Sequence, residues 1–374
     1  MERRERMERM QPAVTLLCER RDLTLELSQF GMARMRYVIY GAGAIGAAVG
    51  ARLAQHGYEA ILIARGAHLD AMQRDGVHLR TPNEDFVQPV TAVAHPSEIE
   101  WRGDEVVLLT MKTQDTGPAL DALRLAAGSG VPVICAQNGL ENERLAARKF
   151  ARVYSMLVQM PATYLEPGEV MLNGVDASGV LPGGLYPGGV DGTIEEVTAA
   201  LKASDFKSWP EPNPLRLKYA KLVYINLDNA VQATSGAAEG TAELTRLLIA
   251  EAERVLDTAG IEYATWREFQ EVAPLVRGDV PGFDRTASGS TWQSLARGAG
   301  SIETDYLNGE ILLLGTLHGV PTPINRAVQD RVTRMLVDGT APRSVPPAEI
   351  FDLARSYGAE IRFDAGVSPS GGRC

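Results

Sequence analysis

Three cysteines and five histidines are all that this chain of 374 residues holds of the commonest soft metal ligands. Cys18, Cys135 and Cys374 are too few and too scattered for a disulfide framework, which points to a reducing, cytoplasmic setting. His56, His68, His78, His95 and His318 show no paired ligand spacing, so no metal site is expected, nor a Cys–His or Ser–His nucleophile pair. Long apolar runs are missing too. The longest, around Glu310-Ile311-Leu312-Leu313-Leu314-Gly315, is far short of the roughly 20 residues a membrane helix needs. Positive charge is also in deficit: the net charge of -10 speaks against a nucleic-acid surface and leaves room only for a local basic pocket.

What is present is ordinary globular material, 45% hydrophobic and 22% charged, in a chain long enough for two domains. Residues 1–34 are charge-rich at Met1–Arg6 and carry no apolar core of signal-peptide length. They read as a dispensable, disordered extension, with Met35 a natural start for the folded protein. From Tyr37, short apolar strands alternate with helical stretches: Tyr37–Tyr40, Ala60–Ala64, Val106–Thr110, Val133–Ala136 and Val153–Leu157. That rhythm predicts an α/β domain over 35–210 with a doubly wound parallel sheet. The Gly/Pro-dense stretch Gly179–Gly192 reads as loops or a hairpin. From Leu215 the pattern turns helical, predicting an all-α domain over 211–340 that starts with one long helix, Leu215–Ala233. The tail 341–374 is expected to be loose apart from one short helix near Pro347–Tyr357.

Between the first strand and the first helix stands Gly41-Ala42-Gly43-Ala44-Ile45-Gly46. Gly41 permits the tight turn, Gly43 lets a pyrophosphate approach the backbone, and Gly46 lets helix and strand pack closely; the helix start then offers free N–H groups to the phosphates. In that context the loop is a Rossmann-type dinucleotide fingerprint. The second strand ends at Arg65, with His68 close by and no acid at its tip, since Glu59 lies at the wrong end. A guanidinium there suits a 2′-phosphate, so NADP (NADPH) is the expected cofactor. Two further loops fall at strand ends, Thr110–Gln114 with Lys112 and Ala136–Asn142 with Asn138, either able to meet cofactor or substrate.

With those loops in hand, the sequence resembles the ketopantoate reductase family (2-dehydropantoate 2-reductase) over roughly Met35 to Leu336. The resemblance rests on the glycine loop, Arg65, Met111-Lys112, Gln137-Asn138-Gly139, Lys221-Leu222 and Ser290-Thr291-Trp292-Gln293. Its most specific part is Glu303-Thr304-Asp305-Tyr306-Leu307-Asn308-Gly309 with the downstream His318-Gly319 and Pro323. It implies reduction of ketopantoate to pantoate with NADPH, in pantothenate biosynthesis, by an enzyme whose partner is a small 2-oxo acid rather than nucleic acid or membrane. By position it implies Lys221 as proton donor, with Lys218 its competitor on the same helix. It further implies Glu303 as the acid orienting lysine or substrate, Asn229 and Ser290 as substrate contacts, Asn138 between nicotinamide and substrate, and Lys112 as the cleft lysine. A relative acting on another keto acid or keto amide is the second reading. A non-catalytic NADP sensor would have no reason to keep Lys221, Ser290 and Glu303 in register. The oligomeric state, homodimer or otherwise, is not set by the sequence.

The sequence departs from that pattern at the helix of the lysine. Where a family asparagine often follows by four residues stands Ile225, and Asn226 comes one later, about 140° from Lys221 on a regular helix. Asn229 falls about 80° away. Either a π-bulge restores Asn226 as a substrate contact or that contact is lost. A further family asparagine would fall on Ala287.

Overall fold

The computed structural model describes residues 35–164, 166–283, 289–296, 298 and 301–361. Expectations for 1–34, for Ala287 and for the end of the tail lie outside the described residues, as does the side chain of Ser290.

Buried apolar runs form the strands of the main sheet. β1 (Arg36–Tyr40), β2 (Ala60–Ile63), β5 (Thr91–Val93), β6 (Glu105–Leu109), β7 (Val133–Cys135), β8 (Val153–Met156) and β12 (Gly183–Leu185) line up in the order β12-β8-β7-β6-β1-β2-β5. All neighbours are parallel except β12 on β8, which is antiparallel. The chain therefore winds outward from β1 in both directions, and the strand order reverses between β1 and β6. In open α/β sheets that reversal opens a ligand crevice at the strand C-terminal ends. Here it gathers the loops after β1 and β6.

Helix α1 (Ala44–Gln55) fills the space behind the crevice and is buried from Gly46 to Leu53. Its small residues are needed because a second sheet covers its other side, with strand order β4-β3-β10-β9 (Asp85–Gln88, Val77–Arg80, Glu169–Leu172, Ala162–Thr163). The sequence pattern did not indicate this sheet. The Gly179–Gly192 stretch forms no hairpin with itself: β11 (Gly179–Val180) pairs with β13 (Phe206–Lys207), and β12 joins the main sheet.

The second domain is helical, as expected, but its first helix is not continuous. α6 (Pro214–Lys221) passes through a π turn, Leu222–Asn226, into α7 (Leu227–Thr234). Together with α8 (Thr241–Ala259), α11 (Asn308–His318) and α12 (Pro323–Asp338) these helices enclose one apolar core. The tail is packed further than the sequence suggests: α13 (Pro347–Ser356) buries Ile350, Phe351 and Ala354 in the same core. An apolar i, i+4 spacing after two prolines is enough to dock it.

Candidate active site

The three loop glycines have three separable causes. Gly41 has φ +94°, and a Cβ there would lie 2.6 Å from Met111 on the neighbouring loop. At Gly46 a Cβ would stand 2.3 Å from the Thr110 hydroxyl. Gly43 is different: its φ is -82° and a Cβ would meet nothing within 4 Å. No packing contact demands glycine at 43, and the space beyond its Cα is open to close approach by something outside the chain. Gly43 also precedes the first turn of α1, which carries Ala44 and Ile45 and contains no acidic side chain, so its N–H groups present a positive end to the open space. The loop fits a dinucleotide pyrophosphate.

Across the crevice the π turn settles the departure noted in the sequence. The Leu227 N–H donates to the Leu222 carbonyl five residues back, so one extra residue is absorbed in the turn. Counting it out, Asn226 stands about 40° and Asn229 about 20° from Lys221 rather than 140° and 80°. All three lie on one stripe. Asn226 is 2% exposed, and neither amide makes a side-chain hydrogen bond among the described residues. Asn229 also borders α10 (Ser290–Ala296), its Oδ1 lying 3.6 Å from where a Cβ on Gly289 would stand.

The Lys221 ammonium is part-buried and donates to Asn138 Oδ1 at 2.8 Å and to the Val158 carbonyl. Asn138 is fixed by a buried polar net in which Asn142 Nδ2 donates to the Asn138 carbonyl and to Thr113 Oγ1, and Gln137 Nε2 donates to the Met111 carbonyl and to Thr116 Oγ1. Glu303, in a 3₁₀ turn (Glu303–Asp305), crosses from the helical domain to cap α3 (Thr113–Ala127), accepting from the Thr113 N–H and hydroxyl, both at 3.1 Å. Lys112 donates to Ser294 Oγ on α10 at 2.8 Å, closing the cleft from the other side.

The electrostatic surroundings of Lys221 perturb it strongly. Burial, then repulsion by Lys218 and Arg277, lowers its pKa to about 7, with Glu303 opposing. Such a group can hold or release a proton at neutral pH. Glu303 is pushed upward by burial, against its Thr113 bonds and the charges of Lys112 and Lys221. Lys218, the competitor, is elsewhere: it is 4% exposed and paired with Glu143. Arg277 was not singled out from the sequence, because it lies in an irregular strap with no motif around it. That strap, with Gln159, Ile225, Asn229 and Trp266, lines a cleft of 470 Å³ beside the stripe.

Arg65 stands at the end of β2 as the residue before α2 (Gly66–Asp75), 83% exposed on its side chain and 3.0 Å from Asp115. His68 turns inward. Its Nδ1 accepts from the Gly168 N–H at 2.8 Å and its ring lies 4.2 Å from Tyr164, while burial lowers its pKa. It is a neutral core histidine, not a second cation beside Arg65.

Two family models match the two domains. Ketopantoate reductase PanE/ApbA matches residues 37–182, and its C-terminal counterpart matches 222–335. The chain belongs to the ketopantoate reductase family. One member, the 2-dehydropantoate 2-reductase of Mesorhizobium japonicum, is 30% identical over 337 residues, covering 81% of this chain and 98% of its own. That of Pyrococcus horikoshii is 26% identical over 294 residues, covering 78% and 94%. Among solved structures, the PanE/ApbA family ketopantoate reductase from Ralstonia eutropha JMP134 superposes with a TM-score of 0.69 at 28% identity, covering 82% of this chain and 99% of that one. A D-mandelate dehydrogenase with NADH and anilino(oxo)acetate shares the fold at 21% identity, with a TM-score of 0.70 over 82% and 100% of the two chains. Both domains of the family are thus matched, and the π turn lies at the start of the matched C-terminal segment.

Proposed function

We propose that this protein is an NADPH-dependent reductase of a 2-oxo acid, converting 2-dehydropantoate to pantoate. The observation that carries the reading is the single stripe of Lys221, Asn226 and Asn229 facing Asn138 and Glu303 beside the glycine-loop crevice. The open space at Gly43 fits the cofactor, and bound NADPH supplies the hydride to the carbonyl carbon. The chain supplies the rest. Lys221 donates a hydrogen bond to the ketone oxygen and passes its proton there as negative charge develops, leaving a neutral amine. Asn226 and Asn229 offer amides with no protein partner among the described residues, suited to the substrate's carboxylate or hydroxyl. Asn138 holds the ammonium in line, and Glu303 keeps a carboxyl within its electrostatic reach.

The size of the cleft beside Ile225 favours a second reading, a family relative that reduces a bulkier 2-oxo acid. Both are tested by following NADPH oxidation with ketopantoate and a panel of other 2-oxo acids. Tight NADPH binding without turnover of any of them sinks the reductase assignment.

The pH dependence has a definite sign. Reduction requires the Lys221 ammonium, so kcat/KM stays level below a pH of about 7 and falls tenfold per unit above it. Oxidation of the hydroxy acid requires the neutral amine and rises through the same pH. A reduction profile that is flat from about pH 6 to 9 removes Lys221 from the proton-donor role.

For the cofactor, Arg65 is solvent-facing with a single exchangeable partner, Asp115, which a 2′-phosphate would replace. Arg65→Ala is expected to weaken NADPH by roughly 10–100-fold, the worth of a charge-assisted hydrogen bond, and NADH by less than about twofold. Equal losses for the two dinucleotides refute a 2′-phosphate role.

A further inference from the structure

Lys218 and Glu143 form a pair that the chemistry so far leaves unused. Lys218 is 4% exposed, Glu143 is fully buried, and the ammonium donates to Glu143 Oε1. The same oxygen accepts from Ser155 Oγ at 2.7 Å, while Glu143 Oε2 has no partner among the described residues. Cys135 lies close enough that Glu143, after burial, raises its thiol pKa, and the Tyr186 phenol also feels Glu143. A sealed ion pair of this kind gains little stability over an apolar pair of equal volume. Its placement is more telling. Lys218 and Lys221 leave one helix one turn apart and both cross to the other domain, to Glu143 and Asn138. Those acceptors belong to one rigid piece, because Asn142 binds the Asn138 carbonyl at the start of α4 (Glu141–Ala147).

We propose that Lys218, locked to Glu143, is a positioning residue for Lys221: it pins the lysine helix to the Asn138 segment and fixes a second positive charge one turn from the reacting ammonium. The proposal rests on Lys221 as proton donor. The charges that face Lys221 come from three elements, Lys218 on its own helix, Arg277 on the strap after α9 (Trp266–Val272) and Glu303 from the 3₁₀ turn. Lys218 is held by a buried counter-ion. It acts on Lys221 as a like charge that lowers the pKa of that ammonium.

The test is the pH profile of kcat/KM for 2-oxo acid reduction in Lys218→Met, Lys218→Arg and the neutral pair Lys218→Met/Glu143→Gln, with NADPH affinity measured alongside. The neutral pair carries the test if Lys218→Met, with Glu143 left uncompensated, does not fold. In the neutral pair the alkaline limb is expected to move up, with NADPH affinity within about twofold of wild type. Lys218→Arg, which keeps the charge, should hold the limb in place while lowering kcat several-fold through misplacement of Lys221. A folded neutral pair whose limb stays at the wild-type pH overturns the proposal. Undiminished turnover in Lys221→Ala instead overturns the reading on which it rests.

Discussion

Lys221→Ala is expected to lower kcat for 2-oxo acid reduction by about 10²–10⁴-fold, the usual worth of a positioned general acid, with NADPH affinity nearly unchanged. The magnitude follows from what is lost. The ammonium shares the stripe with Asn226 and Asn229, it is aimed by Asn138 and the Val158 carbonyl, and its pKa is lowered to about 7. Alanine removes proton and charge together, and the next lysine on the helix cannot substitute because Glu143 holds it in the interdomain core. On the proposed reading the cofactor lies on the β1 side of the crevice, so its affinity should not follow kcat. Lys221→Arg separates the two losses: it keeps a charge but does not release a proton at neutral pH, so kcat should stay low while KM recovers. Near-normal turnover in Lys221→Ala would move the donor role elsewhere in the cleft.

Much of the fold, and the residues that line the candidate site, were legible in the sequence, and the reasons differ residue by residue. Strands β1, β2, β6, β7 and β8 are buried on both faces and so read as continuous apolar runs. The second sheet was not legible, because its strands are short and partly exposed and pair across long separations, as in His78 with Glu169. Asn226 was legible only as an alternative. A helical wheel assumes one residue advances by a fixed angle, and the π turn breaks that assumption at the point where it matters. The choice between Lys218 and Lys221 was also beyond local pattern, since it depends on a carboxylate 75 residues earlier. His68 looked like a neighbour of Arg65 in sequence, yet its ring is spent on Gly168 and Tyr164.

Gly43→Ala should leave the fold intact and weaken NADPH binding by about 100-fold, comparable to the charge-assisted hydrogen bonds a displaced pyrophosphate would lose. The added Cβ meets nothing beyond its chain neighbours within 4 Å. In the free protein it also weakens the helix cap, where alanine is less favourable than glycine by roughly 1 kcal/mol. The space it enters is the approach to the free N–H groups of α1, and an anion kept from them loses the positive end of the helix as well. Gly46→Ala is the informative contrast. There the Cβ would stand 2.3 Å from Thr110 Oγ1, so α1 must move off the sheet, with a stability loss of roughly 1–3 kcal/mol that precedes any effect on the cofactor. Thermal melts and NADPH titrations of the two variants should therefore show opposite signatures, affinity without stability lost at 43 and stability lost first at 46. If Gly43→Ala binds NADPH as tightly as the parent, the open space at that glycine is not where the pyrophosphate lies, and the cofactor must be sought on another edge of the crevice.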